Sequence, residues 1–370
     1  MKIGVLTSSR ADFGIYLPLL KKIQEDSFFD LEIIAFGTHL SEKYGYTKSN
    51  IIESGFEIKH EIVTIPINDT EKAIAISIGD TIIKFADFWE KNKFRFDVVL
   101  CLGDRYEMFA AVSAGITFNL KFAHIHAGEK TLGAIDNIFR HSITFSSKVH
   151  FTSTESYKER VIEMLDTEDK KVVNVGALSL DTLMDFNPLS TDELKERFKI
   201  DMSIPTILTT FHPETVNTDA NESYTNELVK FILKCKEYQF LITMPNADTS
   251  GIKVREILIQ NLSDLPNVFL VENMGSKAYF SAMSYCVMLI GNTSSGIIEA
   301  ASFSKYVINL GERQKGRMHT GNVIDCNIDA NEILSELNKI IEQPVWTGGN
   351  PYFIGGASDS IINTLKKIVG

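Results

Sequence analysis

Short apolar runs alternate along this chain with longer stretches whose apolar positions return every third or fourth residue. The runs Lys2–Leu6, Leu31–Phe36, Val98–Leu102, Phe122–Ile125, Val149–Thr152 and Val172–Val175 predict buried strands. Between them, Tyr16–Glu25, Thr70–Lys91, Tyr106–Phe118, Asn137–Phe145 and Thr154–Met164 carry helical spacing. Phe186–Ser203 mixes helix and turn signals, with Pro188 and Pro205 as punctuation. A second series then begins. Its strands are Thr206–Thr210, Gln239–Thr243, Val268–Val271, Val287–Ile290 and Tyr306–Asn309. Its helices are Asn221–Cys235, Gly251–Gln260, Ser276–Met283, Ser295–Ala301 and Asn331–Ile341. A turn-rich stretch, Thr347–Gly356, precedes a last helix, Ser358–Val369.

Repeated strand–helix units imply right-handed crossovers and parallel sheets covered on both faces. The expected α/β architecture is two Rossmann-like domains, residues 1–185 and 186–350, whose sheets face a central cleft. Residues 351–370 are expected to pack back across the domain junction.

A length of 370 residues suits two domains of ordinary size. The formal net charge of -11 argues against a general nucleic-acid or anionic-membrane surface, but allows a local basic pocket for a phosphorylated small molecule. No apolar stretch approaches a membrane span. The apolar part of Met1–Thr7 is too short for a signal peptide and reads as a strand. Cys101, Cys235, Cys286 and Cys326 lack the close spacing of a zinc or redox pair, so buried thiols in a reducing cytoplasm are the expectation.

The chemistry-bearing motifs fall where strands end. Thr7-Ser8-Ser9-Arg10-Ala11-Asp12 opens the first helix, where free amides and Arg10 suit a diphosphate; no GxGxxG fingerprint supports a dinucleotide. His39 follows the second strand in Gly37-Thr38-His39-Leu40. Gly103-Asp104-Arg105-Tyr106-Glu107 places a poorly solvated carboxylate that Arg105 or Arg140 would hold ionised. His124-Ile125-His126-Ala127-Gly128-Glu129 follows, then Asp136 and Arg140-His141. Two histidines one residue apart, with Asp104, Glu129 and Asp136, are compatible with a metal site. The same set also suits acid/base work near neutral pH, and Asp136 suits a helix cap. In the second half, His212-Pro213 and Met244-Pro245-Asn246 each follow a strand. Gly291-Asn292-Thr293-Ser294-Ser295-Gly296 leads a helix carrying Glu299, a pattern suited to a phosphate and a ribose. Arg313 follows in Asn309-Leu310-Gly311-Glu312-Arg313-Gln314.

The ordered set of these motifs resembles the hydrolysing UDP-N-acetylglucosamine 2-epimerases of sialic acid synthesis, over nearly the whole chain. The resemblance implies a GT-B-like fold, no metal or nicotinamide cofactor, and roles for named residues: Arg10, Ser294, Glu299 and Arg313 at the nucleotide, and Asp104, Asp136 and His212 near the sugar. His39, Arg105, Glu129, Asn246, Thr293, Ser295 and Gly296 complete the expected substrate-binding set. The chain departs from the non-hydrolysing and animal branches at His126, where those carry a catalytic glutamate, and at Ile15, where they carry lysine. The bacterial hydrolysing branch is similar in having His-Ile-His. The implied reaction removes the C2 proton as UDP leaves C1, then adds water to the glycal-like intermediate. Asp104, His126 and Asp136 are expected to move protons, with His212 at the departing diphosphate. The expected products are UDP and N-acetylmannosamine. The same chemistry on a 2,4-diacetamido, 6-deoxy UDP-sugar, and a GT-B glycosyltransferase, stand as alternatives. The resemblance also suggests a homodimer.

Overall fold

A computed structural model describes residues 1–42, 45–64, 68, 70–166, 171–245 and 251–369. The chain divides into two compact units. The first comprises Met1–Glu129, Asp136–Met184 and Tyr352–Gly370; the second comprises Lys130–Ile135 and Asp185–Pro351.

Seven parallel strands form the sheet of the first unit: β1 (Lys2–Thr7), β2 (Asp30–Phe36), β3 (Ile58–Ile62), β4 (Val98–Leu102), β5 (Phe122–Ile125), β6 (Val149–Thr152) and β7 (Val172–Asn174). Their order is β3-β2-β1-β4-β5-β6-β7, so the winding reverses between β1 and β4. Both faces of this sheet are covered. Ile3 and Val5 join a cluster with Tyr16, Leu20 and Ile361, whereas Leu6 joins Phe36, Phe85, Trp89 and Phe122 on the other side. That two-sided burial is why β1 and β4 read as unbroken apolar runs. The last helix, Ala357–Val369, belongs to this unit: Asp181 accepts from its Ala357 and Ser358 amides at 2.8 and 2.6 Å.

The second unit repeats the plan with β8 (Thr206–Thr210), β9 (Gln239–Thr243), β10 (Val268–Val271), β11 (Met288–Gly291), β12 (Val307–Leu310) and β13 (Val323–Cys326). Its parallel order, β10-β9-β8-β11-β12-β13, reverses between β8 and β11. Both units are therefore Rossmann-like.

Four elements differ from the sequence expectation. β3 and β13 are edge strands of mixed polarity, Ile-Lys-His-Glu-Ile and Val-Ile-Asp-Cys, too weakly apolar to stand out. Lys48–Glu53 forms an additional short helix, and Thr191–Phe198 is a defined helix begun by a Ser190–Glu193 capping box. The first helix starts at Arg10, within the motif expected to open it, with Ser9 and Asp12 forming a capping box.

Glu32 on β2 illustrates how this unit tolerates a buried carboxylate. Burial alone would push its carboxyl up, but Arg95, His60 and Lys2 outweigh that and bring it from 4.5 down to about 2. Arg95 donates to both oxygens at 2.6 Å. A depressed folded-state value means stability that is present above the unfolded value and lost as pH falls toward about 2. Glu32→Gln is therefore expected to cost about 2 kcal/mol at pH 7. The gap from wild type should close as pH drops below 4.5, read from urea midpoints. A gap independent of pH would contradict this account.

Candidate active site

In an open parallel sheet, ligands gather at the carboxyl edge where the strand order reverses, because adjacent loops there turn to opposite faces. The first unit places Thr7 at the end of β1, Ser8 and Ser9 after it, and Gly103–Asp104 after β4 at that point. Asp12 organises the β1 turn. Its carboxylate accepts from the Ser8 amide at 2.8 Å, the Ser8 hydroxyl at 2.8 Å and the Thr7 hydroxyl at 2.5 Å. Burial opposes ionisation of Asp12, but His39, Thr7 and Ser8 prevail and lower its carboxyl from the ordinary value. His39 is 0% exposed. Its Nε2 lies 2.9 Å from the Thr7 hydroxyl and its Nδ1 2.9 Å from the Thr47 hydroxyl, so the ring braces the turn from inside. Gly37 allows this packing: a Cβ there would stand 2.9 Å from the Ser8 carbonyl oxygen. Arg10 begins the helix that this turn leads into.

Of the two arginines proposed by sequence for Asp104, the structure selects Arg140. Its Nη2 donates to Asp104 Oδ2, and its Nη1 donates to the His126 carbonyl at 2.8 Å. Glu129 Oε2 lies 3.6 Å from the same Nη1. Arg105 instead makes a two-point pair with buried Glu107, at 3.1 and 2.9 Å. Asp136, half-buried, is the first residue of the helix Asp136–Ser146 that carries Arg140.

The two histidines of the His-Ile-His motif do different work. His124, within β5, spends Nε2 on the Gly103 carbonyl at 2.8 Å and Nδ1 on the Thr144 hydroxyl at 3.1 Å. Burial pushes its imidazole well below the ordinary value, so it is neutral at neutral pH. His126 lies beyond the strand end with φ 63°, a left-handed backbone uncommon for a residue with a side chain. That turn takes it out of strict strand alternation with His124. Its Nδ1 is 2.6 Å from Glu129 Oε1, while its Nε2 is buried with no hydrogen-bond partner among the described residues. Among the described residues no group of three or more His, Cys, Asp or Glu side chains is arranged to hold a metal ion.

In the second unit, the winding reversal brings His212, after β8, beside Asn292, after β11. The Asn292 side chain clamps His212 twice: it accepts from the His212 amide at 2.7 Å and donates to the His212 carbonyl at 2.8 Å. The Asn292 carbonyl in turn accepts from Gln314 Nε2 at 2.7 Å and Arg313 Nη1 at 3.4 Å. Glu214 pins the turn before them, accepting from the Glu312 amide at 2.7 Å. Gly291 makes the crossing possible, since a Cβ there would stand 2.1 Å from the Thr210 carbonyl oxygen. Thr293 caps the five-residue helix Ser294–Ile298 by accepting from the Ser295 amide at 3.4 Å. Gly296 packs into that helix against Val307, and buried Glu299 follows its last residue. Half-buried Tyr279 lies beside Ser295 and Thr210, with burial pushing its phenol up to about 12. Asn246 lies outside the described residues.

Sequence reading alone assigns no role to Asp12, Glu214, Asn292, Gln314 or Tyr279. Only Asp12 carried a local signal, the Ser9-x-x-Asp12 capping pattern. The others depend on which strand ends become neighbours.

The UDP-N-acetylglucosamine 2-epimerase family matches residues 21–366. The chain belongs to that family. A relative from Campylobacter jejuni, described as a GDP/UDP-N,N'-diacetylbacillosamine 2-epimerase (hydrolyzing), is 36% identical over 330 residues, covering 89% of this chain and 85% of its own. A UDP-N,N'-diacetylbacillosamine 2-epimerase (hydrolyzing) from Legionella pneumophila is 33% identical over 367 residues, 99% of this chain and 96% of its own. The crystal structure of the Neisseria meningitidis UDP-GlcNAc 2-epimerase bound to UDP-GlcNAc superposes with a TM-score of 0.82 at 21% identity, covering 99% of this chain and 100% of that one. That superposition supports the fold. Members of this epimerase family act on nucleotide sugars, and among the described residues no helix is long and apolar enough to cross a membrane.

Proposed function

We propose that this family member is a hydrolysing 2-epimerase whose substrate is UDP-N,N'-diacetylbacillosamine. The observation behind the substrate is the pair of relatives bearing that name, at 36% and 33% identity over nearly the whole chain. The Neisseria protein bound to UDP-GlcNAc stands further away in sequence, at 21% identity. UDP-N-acetylglucosamine, with N-acetylmannosamine as the free product, is the second reading, supported by that protein and by the family description.

In the first unit, Asp104, His126 and Asp136 are assigned to proton movement at C2. In the second, His212, Arg313 and the Thr293–Gly296 turn are assigned to the departing diphosphate, with Glu299 at the ribose. Arg10 is assigned to a phosphate by the resemblance. C2 deprotonation needs a placed base, and loss of UDP from C1 needs its growing negative charge stabilised. Water added at C1 and a proton returned to C2 from the opposite face complete the reaction. A homodimer in the cytoplasm accords with this reading.

The test is incubation with each UDP-sugar in deuterated water, followed by NMR. We expect UDP and a free manno-configured sugar, formed at least about tenfold faster from the diacetamido substrate. A product still carrying UDP contradicts the hydrolysing reading. Preference for UDP-N-acetylglucosamine contradicts the substrate choice.

A further inference from the structure

The sequence expectation for Glu129 was contact with substrate. Its carboxylate is 1% exposed, with one oxygen, Oε1, serving both His126 Nδ1 at 2.6 Å and the Ser153 hydroxyl at 2.6 Å. Three local features bring these groups together. His126 turns left-handed at φ 63°; Gly128 does the same at φ 75°, where a Cβ would stand 2.4 Å from Val161. The Ala127 amide then ties the turn to the end of β6, donating to the Phe151 carbonyl at 3.1 Å, two residues before Ser153.

We propose that Glu129 is a positioning residue that, with Ser153, holds His126 as the Nδ1–H tautomer and leaves Nε2 as the base for C2. This rests on the epimerase reading above. A carboxylate only accepts, so the proton of a neutral imidazole sits on Nδ1 and the lone pair on Nε2, the nitrogen that is buried and unpartnered among the described residues. Nε2 takes the C2 proton, the C2–H electron pair forms the C1=C2 double bond, and the C1–O bond breaks with its pair leaving on UDP. Glu129 then stabilises the imidazolium. Asp104 suits this step less well, because Arg140 occupies its Oδ2. Among the described residues, the charged and titratable groups around His126 are Glu129, Arg140, Asp104 through Arg140, and His124, which in turn neighbours His150.

The test compares Glu129→Gln and His126→Gln with wild type, with UDP affinity and melting as controls for folding. Glu129→Gln is expected to lower kcat roughly a hundredfold with KM within about threefold. Long-range 15N spectra of histidine-labelled wild type, assigned with His126→Gln, should show Nδ1 protonated and Nε2 bare at high pH. A raised KM with kcat unchanged in Glu129→Gln, or an Nε2–H tautomer in wild type, overturns the proposal. Full turnover by His126→Gln overturns it too, by removing the base. Failure of wild type to act on either sugar would count against the epimerase reading; the tautomer result, which needs no substrate, still decides the relay.

Discussion

Arg140→Met is expected to destabilise the protein by about 3–5 kcal/mol, the usual cost of removing one partner from a buried charge cluster. The side chain is 2% exposed and is shared between Asp104, Glu129 and the His126 carbonyl. Methionine fills similar volume, so the loss reports on charge and hydrogen bonding more than on a cavity. It leaves the Asp104 carboxylate without its ion pair, puts two acids near His126 with no guanidinium between them, and frees the carbonyl that holds His126 in its left-handed turn. Urea unfolding checks the stability. Turnover is expected to fall by at least about a thousandfold, because position and charge are lost together. Asp104→Asn should cost less stability, since the amide oxygen still accepts from Arg140. In a double-mutant cycle the two losses should be far from additive, as expected for groups in direct contact. Additive losses would show that the pair is not a unit.

Asn292→Ala is the second large effect. Asn292 is 0% exposed, and its amide meets both backbone groups of His212. Alanine leaves a buried N–H and a buried C=O without those partners, which is expected to cost about 2–4 kcal/mol. The functional loss should exceed what stability explains. His212 takes its position from this side chain, whereas Arg313 and Gln314 bond the Asn292 backbone carbonyl, which alanine keeps, so the loss acts through displacement of His212. Turnover should fall roughly a hundredfold with weaker UDP binding, measured by calorimetry at a temperature where the variant remains folded. Wild-type UDP affinity in the folded variant would contradict the role given to His212.

Much of the fold was legible because both sheets are buried on two faces, and such strands leave continuous apolar runs. Val98–Leu102 and Gln239–Thr243 were read to the residue for that reason. The edge strands β3 and β13 were missed because an edge position tolerates Lys59, His60 and Asp325. At the site, residue types at strand ends were readable but their partners were not. Arg105 and Arg140 were equal choices for Asp104 by sequence; the register of β4 beside β5 and the helix from Asp136 decide for Arg140. His39 looked like the other strand-edge groups, yet β1 and β2 pair so that it faces inward against Thr7. The likeness of His124 and His126 dissolved for a backbone reason: the strand ends at Ile125, and His126 turns away from it.

The central claim is proton removal from C2 coupled to loss of UDP, and its most direct test is the isotope content of the product. In deuterated water with UDP-N,N'-diacetylbacillosamine, the released manno-configured sugar should carry one deuterium at C2 in every molecule, with free UDP formed in equal amount. A released sugar that retains hydrogen at C2, or release of UDP with the gluco configuration intact, would contradict the account.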